Sequence, residues 1–261
     1  IRFGVSYACK GNIFLRPGAT GSGPGALCAS GENRYLYRGK HKETIMIEGV
    51  IFDMDGVLVF NRDAHIEAFE IICAKYGVPF DREKFMPSFG MTNDLILERL
   101  MPEVIAHTDW RRIAREKEEV YREIFERTIA PAPGLVDFLH GLRDAGLKTA
   151  VGSSGNTPNV EFVLNRCGIA DCFDAIANGD MITHGKPDPE VYLLAAEKLG
   201  IDPARCLVAE DAPVGIRAAR SAGMSVVAVA STFRREDLGD YDLLIDDFTQ
   251  ITPRNVLDLQ A

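Results

Sequence analysis

Two aspartates one residue apart, in Asp53-Met54-Asp55-Gly56, close a short apolar run, Gly49-Val-Ile-Phe52. Other polar groups follow similar runs. Gly152-Ser153-Ser154-Gly155 comes after Lys148-Thr-Ala-Val151, and Glu210-Asp211 after Cys206-Leu-Val-Ala209, with His184-Gly-Lys186-Pro187 between the two. If the runs are strands of one parallel sheet, these groups gather outside its carboxyl edge, where such sheets bind ligands. Four carboxylates, a hydroxyl and an ammonium then share one crevice. Carboxylates so crowded repel one another, and the arrangement is costly unless a cation sits among them. Oxygen donors, with neither paired histidines nor a thiolate cluster, select Mg²⁺ over zinc. Metal and Lys186 offset the acids and leave room for an anionic group, which a phosphate fits. Each element alone is commonplace: Ser-Ser is ordinary turn chemistry, and Glu-Asp before Pro213 serves equally as a helix cap. The joint order carries the reading.

The elements that must position these residues are legible too. The three runs, with Val226-Val-Ala-Val-Ala230, do not alternate with polar residues, as expected of strands buried on both faces. Helical spacing separates them. Leu135, Phe138, Leu139 and Leu142 fall on one face and Gly146 stops the pattern; the segments 156–167, 189–199 and 213–222 end at Gly168, Gly200 and Gly223. Such alternation predicts an α/β fold, a Rossmann-like parallel sheet with helices on both faces. Residues 61–131 break the rhythm with four helical patterns, 62–75, 81–86, 92–100 and 109–128, before Pro131-Ala-Pro-Gly134. This is the signature of a small all-helical domain inserted after the first strand. The core domain is then 46–60 with 132–261, and the insert 61–131. The charged run Arg111 to Glu119 in the last of those helices is read as a solvated face.

The whole chain has 261 residues and a net charge of −9, with 46% hydrophobic and 26% charged residues, which excludes a disordered, collagen-like or disulfide-stapled chain. The acidic balance argues against a nucleic-acid partner. Charge is spread unevenly. Residues 1–45 hold seven Lys/Arg against two Glu and 8 of the 24 glycines, whereas the remaining 216 residues carry −14. The first 45 residues are read as a non-native or disordered extension, with a transit peptide as the alternative. Gly18 to Gly25 is no phosphate loop, because no Lys-Ser/Thr follows it. No apolar run approaches the ~18 residues of a membrane span. Six scattered cysteines without a C-x-x-C pair are expected to be reduced, mostly as small core residues of a cytoplasmic protein. A monomer or weak homodimer is expected.

From Met46 to about Phe248 the chain resembles the haloacid dehalogenase superfamily, in the branch of β-phosphoglucomutase and small sugar-phosphate phosphatases. Ile51-Phe-Asp-Met-Asp-Gly-Val57 resembles its first motif, Ser153 its second, Lys186 its third and Glu210-Asp211 its fourth; Pro131-Ala-Pro-Gly-Leu135 resembles the segment returning from the helical cap. The resemblance implies Asp53 as a nucleophile forming an aspartyl-phosphate, and Asp55 as general acid and base. Ser153 and Ser154 would bind the phosphoryl oxygens, and Lys186 would balance charge. Mg²⁺ would be held by Asp53, Asp211, the Asp55 backbone carbonyl and Glu210, the last directly or through water. The insert would be a cap closing over the site. Asp55 speaks against dehalogenase, ion-pump and phosphonate-hydrolysing relatives, which lack an acid there.

Phe89-Gly-Met-Thr-Asn-Asp94 resembles the cap's specificity loop, with Asn93 as a substrate-binding candidate. The mutase carries basic residues in this loop and this chain does not, which disfavours a grip on a second phosphate. His65, placed like a histidine of the mutase near the hinge, points the other way. The expected activity is therefore a Mg²⁺-dependent phosphatase acting on a small phosphorylated metabolite. A phosphosugar mutase and a catalytically silent binding protein are the alternatives. A serine hydrolase at Ser153 is excluded, because Gly-Ser-Ser-Gly lacks the G-x-S-x-G spacing.

Overall fold

The computed structural model describes residues 46–259; the reading of residues 1–45 as an extension, with Cys9 and Cys28, lies outside them. Six strands form one wholly parallel sheet: β1 (Gly49–Phe52), β2 (Lys148–Gly152), β3 (Ala175–Ala177), β4 (Cys206–Glu210), β5 (Ser225–Val229) and β6 (Leu243–Ile245), in the order β3-β2-β1-β4-β5-β6. Gly49 stands level with both Lys148 and Cys206, so the carboxyl ends of the three central strands are aligned. All four expected strands are present. The short edge strands β3 and β6 are not expected from the sequence, since each is a run of only three apolar residues, too short to mark a strand by pattern.

Period-2 alternation divides the side chains between two cores. Val50, Phe52, Leu207, Ala209, Val227 and Val229 face one side, under α6 (Leu135–Asp144) and α7 (Thr157–Arg166). Ile51, Val208, Val226 and Ala228 face the other, under α8 (Glu190–Leu199) and α9 (Pro213–Ser221). Each fully buried Val, Leu, Ile or Phe contributes about 1.5–3 kcal/mol of transfer free energy, which is why strands without a polar face are stable here. Of the four described cysteines, Cys73 and Cys206 are buried, and Cys167 and Cys172 are half-buried.

Between β1 and α6 lie α1 (Arg62–Lys75), α2 (Arg82–Phe85), α3 (Asn93–Leu100), α4 (Pro102–Ile105) and α5 (Trp110–Phe125). They bury an apolar cluster of their own that includes Phe69, Ile72, Phe85, Leu97 and Ile113. The expected solvated face of α5 needs correction. Arg111, Arg112, Arg115 and Glu119 are exposed, but Lys117 and Glu118 are 2% and 3% exposed. They fall on the same helical stripe as Ile113, Ala114, Tyr121 and Phe125, which faces inward. Among the described residues, no helix is long and apolar enough to cross a membrane.

Candidate active site

The chain leaves β1 at Phe52 and turns within Met54 to Val59, where the Gly56 N–H donates to the Val59 carbonyl at 2.8 Å. Gly56 has φ +79°, and a Cβ there would lie 1.9 Å from an Asp211 carboxylate oxygen. Glycine thus permits both the turn and the close approach of a second strand's acid. The Asp53 N–H extends the ladder to the Ala209 carbonyl at 3.0 Å, which fixes Asp53 beside the end of β4.

Lys186 joins the two sides of the crevice. Its ammonium donates to Asp53 Oδ1 at 2.7 Å and to Glu210 Oε1 at 2.8 Å, with no exposed surface. Glu210 also accepts from the Tyr192 hydroxyl at 2.8 Å and from the Ala212 N–H at 2.8 Å. Space for its carboxylate exists only because residue 215 is glycine; a Cβ there would lie 1.5 Å from Oε1. Burial opposes the Lys186 charge, but the Asp53 and Glu210 carboxylates outweigh it and hold the ammonium above its ordinary value.

Asp53, Glu210 and Asp211 can each place a carboxylate oxygen within 4.8 Å of the others. Both Asp211 oxygens are buried without a hydrogen-bond partner. Burial and the neighbouring acids drive Asp211 well above the ordinary carboxylate range. Asp53 rises to about 7: burial and the charges of Glu210 and Asp55 push it up against the pull of Lys186. An orphaned carboxylate amid two others, all with oxygen donors, fits a small hard divalent cation. The Asp55 carboxylate is absent from this trio. Its Oδ1 accepts from Asn61 Nδ2 at 2.6 Å and lies 3.3 Å from His65 Nε2, so this oxygen is engaged away from the trio.

His65 Nδ1 lies 2.9 Å from Lys117 Nζ. An ammonium has no acceptor, so Nδ1 must accept and Nε2 carries the proton that points at Asp55. The ring stacks on Tyr121 with centroids 4.0 Å apart. Burial works against the Asp55 charge, yet His65, Asn61 and Lys117 together hold its carboxyl below the ordinary value.

Ser153 is 1% exposed, and its Oγ accepts from the Gly155 N–H at 3.0 Å, which leaves the hydroxyl proton to donate. Ser154 differs: its hydroxyl donates to the Gly90 carbonyl at 2.8 Å, tying β2's end to the loop before α3. Asn93 Nδ2 donates to Glu118 Oε1 at 2.7 Å. Asp53, Asp55, His65, Asn93 and Ser154 line one cavity of about 40 Å³; Lys186 and Ser153 lie buried alongside. Lys117, Glu118 and Asn159 line it as well, and the sequence reading missed all three. The signal for the first two was available, as a Lys-Glu pair interrupting an otherwise apolar helical stripe.

Residues 50–229 match the haloacid dehalogenase-like hydrolase family. Fructose-1-phosphate phosphatase YqaB of Escherichia coli (strain K12) is 35% identical over 184 residues, which is 69% of this chain and 95% of that protein. The β-phosphoglucomutase of Bacillus subtilis (strain 168) is 32% identical over 193 residues, 70% of this chain and 83% of the relative. The crystal structure of β-phosphoglucomutase from Clostridium difficile superposes with a TM-score of 0.73 at 29% identity, covering 81% of this chain and 96% of that one. The aspartate pair, the lysine and the acidic trio thus stand on a fold and within a sequence span shared with these enzymes, and the chain belongs to the haloacid dehalogenase-like hydrolase family.

Proposed function

We propose that this chain is a Mg²⁺-dependent phosphatase that hydrolyses a small phosphorylated metabolite, a sugar phosphate by class, through an aspartyl-phosphate on Asp53. The observation that carries the reading is the placement of Asp53 at the end of β1, within hydrogen-bond reach of Lys186 and beside an independently held second acid, Asp55. An Asp53 oxygen attacks phosphorus, and the bond from phosphorus to the leaving oxygen breaks. Asp55, whose proton affinity rises as a phosphate dianion settles beside it, gives its proton to that oxygen. It then takes a proton from the water that attacks the aspartyl-phosphate, releasing inorganic phosphate and restoring Asp53. His65 and Asn61 keep the Asp55 carboxylate oriented in both halves. Lys186 and the Ser153 hydroxyl face the charge that builds on the phosphoryl oxygens. Asp53, Asp211 and the Asp55 carbonyl would hold Mg²⁺, with Glu210 directly or through water; the ion supplies electrostatic stabilisation of the transferring group.

The cavity adjoins a larger cleft that shares Asn93 and Ser154 with it. The helical segment 61–131 acts in this reading as a cap that parts from the sheet to admit substrate and then excludes water. The relatives' names support the substrate class: one is a fructose-1-phosphate phosphatase and two are β-phosphoglucomutases. The likeness to those mutases keeps phosphosugar mutation as the second reading. A panel of phosphorylated metabolites with Mg²⁺, blanked by the Asp53→Asn variant, tests the first. β-Glucose 1-phosphate with a bisphosphate primer separates the two: free phosphate supports the hydrolase, isomerised sugar phosphate the mutase.

A further inference from the structure

Glu118 is a buried carboxylate in the cavity wall for which the proposed chemistry has no use. Three donors converge on it: Asn93 Nδ2 at 2.7 Å and Lys117 Nζ at 3.1 Å on Oε1, and Asn159 Nδ2 at 2.6 Å on Oε2. Burial opposes its charge, but Lys117, His65 and the two amides outweigh that and keep the group ionised. An ionised carboxylate offers about four acceptor positions, so one remains, on Oε2. The only group this position can satisfy is a hydrogen-bond donor.

The charges around it point the same way. Among the described residues, Lys117 is the one lysine or arginine lining the cavity. It is already committed to Glu118 and to His65 Nδ1. Lys186 is committed to Asp53 and Glu210 at the phosphoryl end. A second phosphate in this cavity would have to compete with Glu118 for Lys117 and would meet the Glu118 carboxylate at close range in low dielectric. A hydroxyl would instead complete the coordination of Glu118. Phe69, Phe85 and Phe89 also line the cavity and offer it only apolar surface.

We infer that Glu118 is the specificity-determining residue of the cavity: its free acceptor position takes a substrate hydroxyl remote from the phosphoryl group, and its charge excludes a second anionic group. The substrate is thus a hydroxylated monophosphate and not a bisphosphate. This rests on the phosphatase reading for the identity of the reacting group, but the selectivity is a property of binding.

The test compares matched pairs, fructose 1-phosphate with fructose 1,6-bisphosphate and glucose 1-phosphate with glucose 1,6-bisphosphate. Steady-state kinetics of the wild-type and Glu118→Gln enzymes are combined with calorimetric binding to Asp53→Asn with and without Glu118→Gln. The wild type is expected to prefer the monophosphate of at least one pair, and Glu118→Gln to narrow the preference about tenfold or more, chiefly through KM. Because each preference is a ratio within one protein, a partly unfolded variant does not distort it. Equal use of both members of each pair by the wild type overturns the inference and would place the second phosphate in the neighbouring cleft lined by Arg111 and Arg115. An unchanged ratio in Glu118→Gln overturns it as well. Selective binding by Asp53→Asn without any hydrolysis by the wild type upholds the role of Glu118 and removes the phosphatase reading instead.

Discussion

Lys186 and Asp53, separated by 133 positions in sequence, meet in a 2.7 Å hydrogen bond in the protein interior. The same ammonium binds Glu210 at the end of β4, so a single cation fastens β1 to β4 under the crevice. A buried ion pair contributes little net stability after desolvation, but removing one partner is strongly destabilising. In the proposed mechanism the arrangement holds the nucleophile in place more than it holds the fold together.

Asp53→Asn should reduce turnover by at least about a thousandfold, because the amide is a far poorer nucleophile. The fold should survive, since the amide is nearly isosteric and Lys186 keeps Glu210 as a partner. Phosphate release, circular dichroism and mass spectrometry to exclude deamidation form the check. Full activity in the intact variant would remove the aspartyl-phosphate mechanism.

Chelation with EDTA should silence the enzyme and added Mg²⁺ restore it. Binding to the native state alone stabilises by about 2.7 kcal/mol at a hundredfold excess over Kd, so Mg²⁺ should also raise the thermal midpoint. Asp211→Ala, which removes the two unpartnered oxygens, should lose that rise. An equal rise in the variant would place the ion elsewhere.

Gly215→Ala reports on the Glu210 pocket. Alanine in place of glycine in a helix ordinarily gains about 1 kcal/mol. Here the new Cβ would lie 1.5 Å from Glu210 Oε1, and overpacking of this kind costs about 1–3 kcal/mol. The clash wins, so the thermal midpoint should fall and activity should fall with the displaced carboxylate. A more stable, fully active variant would contradict the packing.

Acid should loosen the pairing of α1 with α5. Glu116 accepts from the Tyr76 hydroxyl at 2.9 Å and pairs with Lys75 at 3.0 Å and Arg112 at 3.1 Å. These partners, Lys75 foremost, bring its carboxyl down to about 2. A depressed folded-state value stabilises above the unfolded value, near 4.5, and the contribution is lost as pH falls towards 2. Melting Glu116→Gln between pH 2.5 and 6 should show a smaller loss on acidification than the wild type. Parallel curves would deny the pair a role.

Much of this molecule is determined by its sequence alone. Short apolar runs bounded by turn residues fit strands covered on both faces, and glycine-stopped helical stripes between them leave a parallel α/β sheet as the economical solution. Asp53, Asp55, Ser153, Lys186 and the Glu210-Asp211 pair lie at strand ends or in an adjoining loop, so topology brings them together. The edge strands β3 and β6 escaped because a run of three apolar residues is too short to mark a strand by pattern, whereas pairing with a neighbouring strand suffices to form one. Tertiary structure alone decided the remaining facts. Asp55 turns its carboxylate to Asn61 and His65 and away from the acidic trio, a choice of rotamer and partner that spacing does not encode. Ser154 spends its proton on Gly90. Lys117 and Glu118 sit within what reads as a solvated charge run, although they share a helical stripe with Ile113, Ala114, Tyr121 and Phe125; the packing of α5 against α1 turns that stripe inward, where desolvation makes each charge depend on its partners.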